Sequence, residues 1–369
     1  MFSKITLPTK HNQRGPIGFE IRSHSLNIVQ VFLDGNSSKP KVLAAVSLPL
    51  TCSYEELLAS PALFKKMIAD ALKAHPFVGK RCVSTLPAHK VRLKHIAYEQ
   101  KPNQDHMQAI LPSLRELLGK KLESSVIDTI PIRAEYANTL SRSAIVAIAD
   151  RADVEDYLGL LAGCGLEVDA LEVGPIAIRR LITAMNPDEE QSKILTMNVG
   201  QEKTFLTIIW GRRILLDREV LFGLTTLVNA VATELNVSEE DASDLLDKHG
   251  FELSKDLAAD QQAMVGVLRD IVLPLVTKLS NKVHDVLLYM ASETRGEGID
   301  SIFLLGSIAH LRGPDTLLQQ MLSVPVQVIN PLYGFEMEGE QGSVDINQEE
   351  ISGIAVATGM ALRGLVSNV

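Results

Sequence analysis

Cysteine is scarce: Cys52, Cys82 and Cys164 are spread over 369 residues. An odd number at wide spacing excludes a disulfide framework and a multi-thiolate zinc site, and fits buried thiols in a reducing compartment. Long apolar runs are missing too. The stretch Val265–Val276 is broken by Arg269, Asp270 and Pro274, so nothing reaches the ~18 apolar residues of a membrane helix. The opening MFSKITLPTKHNQRGP has no apolar signal core, which leads us to expect a cytoplasmic protein. There is no basic excess: the net charge of −9 and pI near 5.5 give no support to nucleic-acid binding, which needs a concentrated basic face. Histidines form no metal pair, since His89 and His95 lie six apart on a strand-like stretch and His284 stands alone on a helix. No Ser-His-Asp spacing argues for nucleophilic catalysis. No residue is therefore assigned a catalytic or metal-ligating role.

What is present centres on Ile194–Leu235. An apolar strand reaches a turn at Gly200, a strand Phe205–Trp210 turns at Gly211, a third strand Ile214–Leu221 follows, and Phe222-Gly223 opens a helix. Leu224, Leu227, Val228, Val231 and Leu235 recur at helical spacing, with Thr225 or Thr226 able to cap the start. A turn of this kind brings backbone amides close to an anion. Ile17–Val31 repeats the pattern, with Glu20 where Asn198 stands and Ser23–Ser25 where Gln201–Lys203 stand. Two such hairpins predict two related halves facing each other across a cleft, the actin/Hsp70/sugar-kinase architecture, in which phosphates sit between the turns. The length, beyond what one core usually supports, agrees with two lobes.

The rest of the chain reads as α/β. Strands are expected at Ile17–Ile21, Leu26–Leu33 and Val42–Leu48 with a turn at Asp34-Gly35. A helix Tyr54–His75 and a strand Arg81–Thr85 follow. Residues 89–162 change texture (strand Val91–Tyr98, helix Asp105–Leu118, strands Val126–Ile132 and Ala144–Ala149, helix Asp153–Ala162) and read as a small α+β subdomain inserted in the first lobe. Strand Leu166–Leu171 and helix Gly174–Met185 return to that lobe before a polar linker at Asn186. The expected division is a first lobe over 1–188, a second over 189–350, and a helix over 351–369 returning to the first. In the second lobe Ser238 caps Ala242–Lys248, a long helix Asp260–Ser292 bends at Pro274, and the strand Ile302–Leu305 leads to Gly306. The helix Pro314–Leu322, the strand Val326–Ile329 and an acidic loop Phe335–Glu350 complete it. The final helix is rich in Gly and Ala, residues that permit close approach to a sheet.

In their order and spacing, IGFEIRSHSLNIVQV, LEVGPIAIRRL, MNVGQEKTFLTII, REVLFGLTTLVNAVATELNVSEEDASDLL, FLLGSIAHLRGPDTLL with VPVQVINPL, and VATGMALRGL resemble the PilM family of type IV pilus assembly proteins, relatives of the division protein FtsA. The resemblance implies a two-lobed actin-like fold with ATP and Mg²⁺ between the turns. It places Glu20, Ser23, Ser25, Asn198, Gly200, Thr204, Gly223, Gly306 and Ser307 at the nucleotide. The chain departs from the family where phosphate and metal are met. Glu20, Ile21 and Arg22 replace an Asp-Ile-Gly start, Asn27 a lysine, Asn198 the usual aspartate, Leu224 a second glycine, and Ser307 and Ile308 follow Gly306 in place of further glycines. Glu20 reads either as a Mg²⁺-related acid or as an ordinary carboxylate. Arg22 reads either as a phosphate ligand or as the partner of Glu20 or a neighbouring acid.

Two function classes follow. One is a cytoplasmic scaffold of a type IV pilus or type II secretion-like machine with degenerate nucleotide motifs. The other is an active ATPase or phosphotransferase of the same fold. The family implies a partner, the cytoplasmic N-terminal tail of a PilN-like inner-membrane protein, which would keep the chain peripheral to that membrane. The expected peptide site lies between first lobe and insertion, lined by Val91, Leu93, Ile96, Leu158 and Leu161. Acidic Glu239, Glu240, Asp241, Asp244 and Asp247 on one lobe and Lys65, Lys66, Lys73, Lys80, Arg81, Lys90, Arg92 and Lys94 on the other suit head-to-tail self-association into a ring or filament.

Overall fold

The computed structural model describes residues 13–34, 39–132, 141–185, 191–211, 213–252, 258–294, 296–337, 343–347 and 351–365. Gly35 of the expected turn, the start of the leader and the linker at Asn186 lie outside them.

The chain opens with a meander, β1 (Gln13–Ile21), β2 (Ser25–Leu33) and β3 (Pro40–Pro49). The predicted helix after it is two helices, α1 (Tyr54–Ala59) and α2 (Pro61–Ala74). Pro61 lacks the N–H that a continuous helix needs and sits at the first position of α2, while Ser53 and Glu56 form a reciprocal capping box that starts α1. The strand β4 (Arg81–Thr85) leads to a second set: β5 (Val91–Glu99), α3 (His106–Leu118), β6 (Ser125–Ile132) and β7 (Ser141–Asp150). Then come α4 (Arg151–Gly163), β8 (Glu167–Leu171) and α5 (Gly174–Met185).

The second half repeats the scheme with β9 (Lys193–Val199), β10 (Thr204–Trp210), β11 (Arg213–Val220), α6 (Leu224–Leu235), α7 (Glu239–His249) and α8 (Ala259–Glu293). The long α8 runs through Pro274, and its Leu268, Val272, Val276, Leu279, Val283 and Val286 keep helical spacing on either side. After β12 (Ser301–Gly306), α9 (Pro314–Leu322) and β13 (Val326–Val328), the stretch expected as an acidic loop contains a pair of short strands, β14 (Glu336–Met337) and β15 (Ser343–Asp345). Both pair in parallel with β3, a non-local pairing that the polar sequence of the segment does not signal. A 3-10 turn, Ile351–Ile354, leads into α10 (Ala355–Ala361).

One sheet has the order β14-β3-β2-β1-β4-β8 and the other β11-β10-β9-β12-β13. From β3 to β8 and from β11 to β13 the arrangement is the same: an antiparallel meander whose first strand pairs in parallel with a fourth strand, which in turn pairs in parallel with a fifth. The first sheet buries one face against α1, α2 and α4 through Phe19, Ile28, Phe64, Ile68, Tyr157 and Leu161. The second buries one face against α6 to α9 through Leu206, Ile208, Leu227, Leu246 and Leu317. Between the sheets lies a shared layer of α5 and α10, where Ile178, Leu181, Ala357 and Met360 meet Val29 and Val83 from one sheet and Ile194, Phe303 and Leu305 from the other.

The three-stranded sheet β5-β7-β6 carries α3 on one face. Its other face brings Ile132, Ile145 and Leu93 against Ile176 of α5 and Ile214 and Leu215 of β11. Its entry and exit are neighbours, since Val91 pairs with Ala149. The helix α4, read from sequence as the end of the insertion, packs in the first-lobe core instead. Cys82 is buried there, and burial pushes its thiol up to about 12, whereas Cys52 and Cys164 are half-buried.

Close approach fixes α10. A Cβ on Gly18 would fall within the radius of the Ala357 carbonyl oxygen, and one on Gly359 within that of Ala177. The bidentate pair of Arg180 with Glu172, at 2.7 and 2.8 Å, lies half-buried beside this contact, and the same Arg180 donates to the Gly359 carbonyl at 2.8 Å. We expect Gly18→Ala and Gly359→Ala each to destabilise by at least the ~1–3 kcal/mol of core overpacking, read as a lower urea midpoint at unchanged slope. Gly159→Ala, on the open face of α4 with nothing near its Cβ position, should instead stabilise by about 0.5–1 kcal/mol.

Candidate functional site between the two turns

Two hairpin turns and the end of β12 converge between the sheets. In the first turn the Arg22 N–H donates to Ser25 O at 2.8 Å, which leaves Ser23 exposed at the tip and Ser25 half-buried. At its root Glu20 pairs in register with Asn27. In the second turn Gly200 N–H donates to Lys203 O at 2.7 Å, and the first amides of α6, on Leu224 and Thr225, donate to Gly200 O and Gln201 O at 3.1 and 2.9 Å. Of the two threonines expected at the start of α6, it is Thr226 whose hydroxyl accepts the Gly223 N–H, at 3.3 Å. Gly306 has φ +88°, a conformation that favours glycine, and lets the next residue's N–H (Ser307) reach Val199 O at 2.6 Å.

The structure thus brings Asn198, Gly200, Gly306 and Ser307 together around Val199, with the Asn198 side-chain oxygen 2.8 Å from where a Gly306 Cβ would stand. Thr204 and Gly223 lie behind the turn. The Thr204 hydroxyl donates to Phe222 O at 2.7 Å, and Gly223 backs onto the Gln201 carbonyl. Ile308 turns into the second-lobe core. Sequence reasoning gave no bonding role to residues 351–354. Ser352 donates to Gly306 O at 3.1 Å, and the Gly353 carbonyl accepts from both Arg22 and Asn27 at 3.1 Å. No local pattern announces contacts between positions this far apart.

The groups at the cleft do not suit a hydrated Mg²⁺. Such an ion is held through carboxylates, and Asn198 offers a neutral amide. Glu20 is buried, and burial raises its pKa towards the neutral acid, an effect only partly opposed by the Arg22 charge and by the 3.3 Å hydrogen bond from Asn27. Arg22 makes its hydrogen bonds to Gly353 O and, at 3.4 Å, to Ser307 Oγ. A guanidinium there repels a second cation. Among the described residues no group of three His, Cys, Asp or Glu side chains is placed to hold a metal ion.

At the junction of first lobe and insertion, Tyr54 of α1 is buried and its hydroxyl has no hydrogen-bond partner among the described residues. Burial, together with Asp153, Asp156 and Glu55, pushes this phenol up to about 12. Around it Lys90 pairs with Asp153 at 3.2 Å and Glu55 at 3.5 Å, and His89 with Glu55 at 3.3 Å. The expected peptide-lining residues divide among several environments. Val91 is half-buried at the root of β5 and Leu158 half-buried on α4. Leu161 is fully buried in the first-lobe core, Leu93 faces β11, and Ile96, on the opposite face of β5, lies under α3. Of the charged patches, Arg81 and Lys90 are already paired with Asp169 and Asp153, and Asp247 with His310 at 2.8 Å.

The second sheet also carries an acid. Asp217 accepts the Thr207 hydroxyl at 2.6 Å, and burial pushes it up to about 7. Because the folded protein holds this proton more tightly than the unfolded chain, stability falls as pH rises from about 4 to about 7 and levels off above, by up to about 4 kcal/mol. Asn keeps the acceptor without the charge. Asp217→Asn should therefore raise the melting temperature at pH 8, leave it nearly unchanged at pH 4, and flatten the pH profile between.

A family model described as the type IV pilus assembly protein PilM matches residues 18–365. Among solved structures, a PilM–PilN type IV pilus biogenesis complex is similar at 23% identity, covering 95% of this chain and 98% of that one with a TM-score of 0.73. The ethanolamine utilization protein EutJ from Carboxydothermus hydrogenoformans is similar at 14% identity, with coverage of 95% and 89% and a TM-score of 0.52. MreB 5 of Spiroplasma citri bound to AMPPNP is similar at 10% identity, with 97% of each chain covered and a TM-score of 0.50. The fold is two-lobed and actin-like. With a match that runs from the first hairpin through both sheets to the end of the closing helix, the chain belongs to the PilM family of type IV pilus assembly proteins.

Proposed function

We propose that this chain is a cytoplasmic scaffold of a type IV pilus assembly machine, holding the N-terminal tail of a PilN-like inner-membrane protein and turning over ATP marginally or not at all. The observation that carries the reading is the family match over residues 18–365, joined by the likeness to a PilM–PilN complex. Among the described residues no helix is long and apolar enough to cross a membrane, so attachment through a partner's tail supplies the membrane link. The tail docks where the root of β5 meets α1 and α4. Val91 and Leu158 offer half-buried apolar surface there, and the buried Tyr54 hydroxyl behind them would gain the partner it lacks among the described residues from a peptide carbonyl that enters between α1 and α4. Leu161 builds the wall behind, whereas Leu93 and Ile96 face β11 and α3 and take no part in the site.

Loss of ATP turnover is supported by Asn198 and the buried Glu20, because phosphoryl transfer draws most of its rate from a placed metal and oriented charge. Titration with a synthetic peptide of the partner's tail tests the docking. Tyr54→Phe should weaken binding roughly three- to tenfold, the worth of one hydrogen bond, and Val91→Asp should weaken it more. Affinities untouched by either variant would move the site elsewhere. Phosphate release at an ordinary ATPase rate, abolished by Gly200→Val, would refute the claim of lost turnover.

A further inference from the structure

The cleft between the turns holds an excess of hydrogen-bond donors. Arg22 carries five guanidinium N–H groups. Its Nη1 reaches Gly353 O at 3.1 Å, but its Nη2 reaches the Ser307 hydroxyl only at 3.4 Å. From the other turn, Gln201 Nε2 reaches that same hydroxyl at 3.5 Å. Both contacts lie beyond the 2.7–3.2 Å of an ordinary N–H···O bond. One oxygen, still carrying its own proton, is thus approached by a guanidinium and an amide from opposite lobes.

Glu20 feels the Arg22 charge, but burial holds it towards the neutral acid, and among the described residues no carboxylate makes a hydrogen bond or ion pair with Arg22. Glu20 receives the Asn27 amide, and Glu219 is taken by Lys203 at 2.9 Å. Arg22, Gln201 and Ser307 are all half-buried, so a ligand there would exclude part of the water that weakens charge-assisted bonds. An oxyanion with several lone pairs would satisfy all three donors at normal distance.

We propose that this cleft binds a phosphate-type oxyanion directly on Arg22, Gln201 and Ser307, with no divalent cation, Arg22 supplying the positive charge that a metal ion supplies in a Mg²⁺-nucleotide site. Arginine suits this role because its planar fork meets phosphate oxygens two at a time. The site draws one donor from the first turn and two groups from the second lobe, so the anion ties the lobes together. The proposal is independent of peptide docking at Tyr54, and the failure of either leaves the other standing.

The test uses the full chain in thermal shift and calorimetry with inorganic phosphate, pyrophosphate and ATP, each in EDTA and again in millimolar Mg²⁺. The expected result is stabilisation in EDTA at least as large as in Mg²⁺, because a ligand that binds only the folded state raises its melting temperature and Mg²⁺ competes for the phosphate charge. Equal shifts with pyrophosphate and ATP assign the site to an inorganic anion. A much larger shift with ATP assigns it to the phosphates of a nucleotide, and both support the proposal. Arg22→Ala should weaken binding at least tenfold and Gln201→Ala about three- to tenfold, following the worth of charged and neutral hydrogen bonds. If Arg22→Ala lowers the ligand-free melting temperature through its lost bond to Gly353, Gln201→Ala and Ser307→Ala remain as readouts. Binding that needs Mg²⁺, binding indifferent to the Gln201 and Ser307 variants, or no shift with any of the three anions overturns the proposal.

Discussion

The contact on which the rest of the molecule depends is backbone against backbone: α10 lies against β1 at Gly18 and against α5 at Gly359, with no side chain between. This allows one thin layer of two helices to serve two sheets, so a single apolar core couples both lobes. A larger residue at either glycine would push the layer away from one sheet while the other still held it. The half-buried Arg180–Glu172 pair has complete partners: the guanidinium also meets the Gly359 carbonyl, and Arg363 closes on the same carboxylate. It fixes the position of a helix that has few large side chains of its own.

The same segment assembles the cleft. Residues Ser352 and Gly353, at the entry to α10, bond the end of β12 on one side and Arg22 and Asn27 on the other. The two turns are thus referenced to a common piece of backbone. Where relatives of this fold are expected to place carboxylates for a metal, the chain has an amide at Asn198 and a carboxyl at Glu20 that burial drives towards neutrality. The guanidinium of Arg22 stands beside them, bonded to the Gly353 carbonyl and the Ser307 hydroxyl.

Much of this was legible in the sequence because it is local. Arg81–Thr85, Gly174–Met185 and Pro314–Leu322 have the bounds that periodicity, proline and glycine predict, and the repeated hairpins were visible as two polar turns between apolar strands. The division of Tyr54–His75 at Ser60-Pro61 was readable from the proline and was missed. Leu93 and Ile96 show the limit of reading a β-strand by hydrophobicity alone. They stand on opposite faces of β5, and the sequence does not tell which neighbour covers each. Beyond reach were the pairings that join distant segments, such as Gly353 with Arg22 and the polar β14 and β15 with β3, since partner choice there is set by tertiary context.

Those distant pairings bear on how the protein is made. Arg22 and Gly353 are 331 positions apart, and the strands β14 and β15 that pair with β3 and the helix that covers the sheet are encoded far downstream of the meander. A ribosome emits the first meander long before the residues that cap its edge and bury its second face exist. Until those residues emerge, β3 presents an unpaired edge and Val29 and Val31 lack their cover, the condition under which nascent strands find wrong partners. Completion of the first lobe therefore waits on synthesis of the second-lobe strands that precede β14 and β15, and production of this protein in the cell should depend on holding that edge safe during the interval.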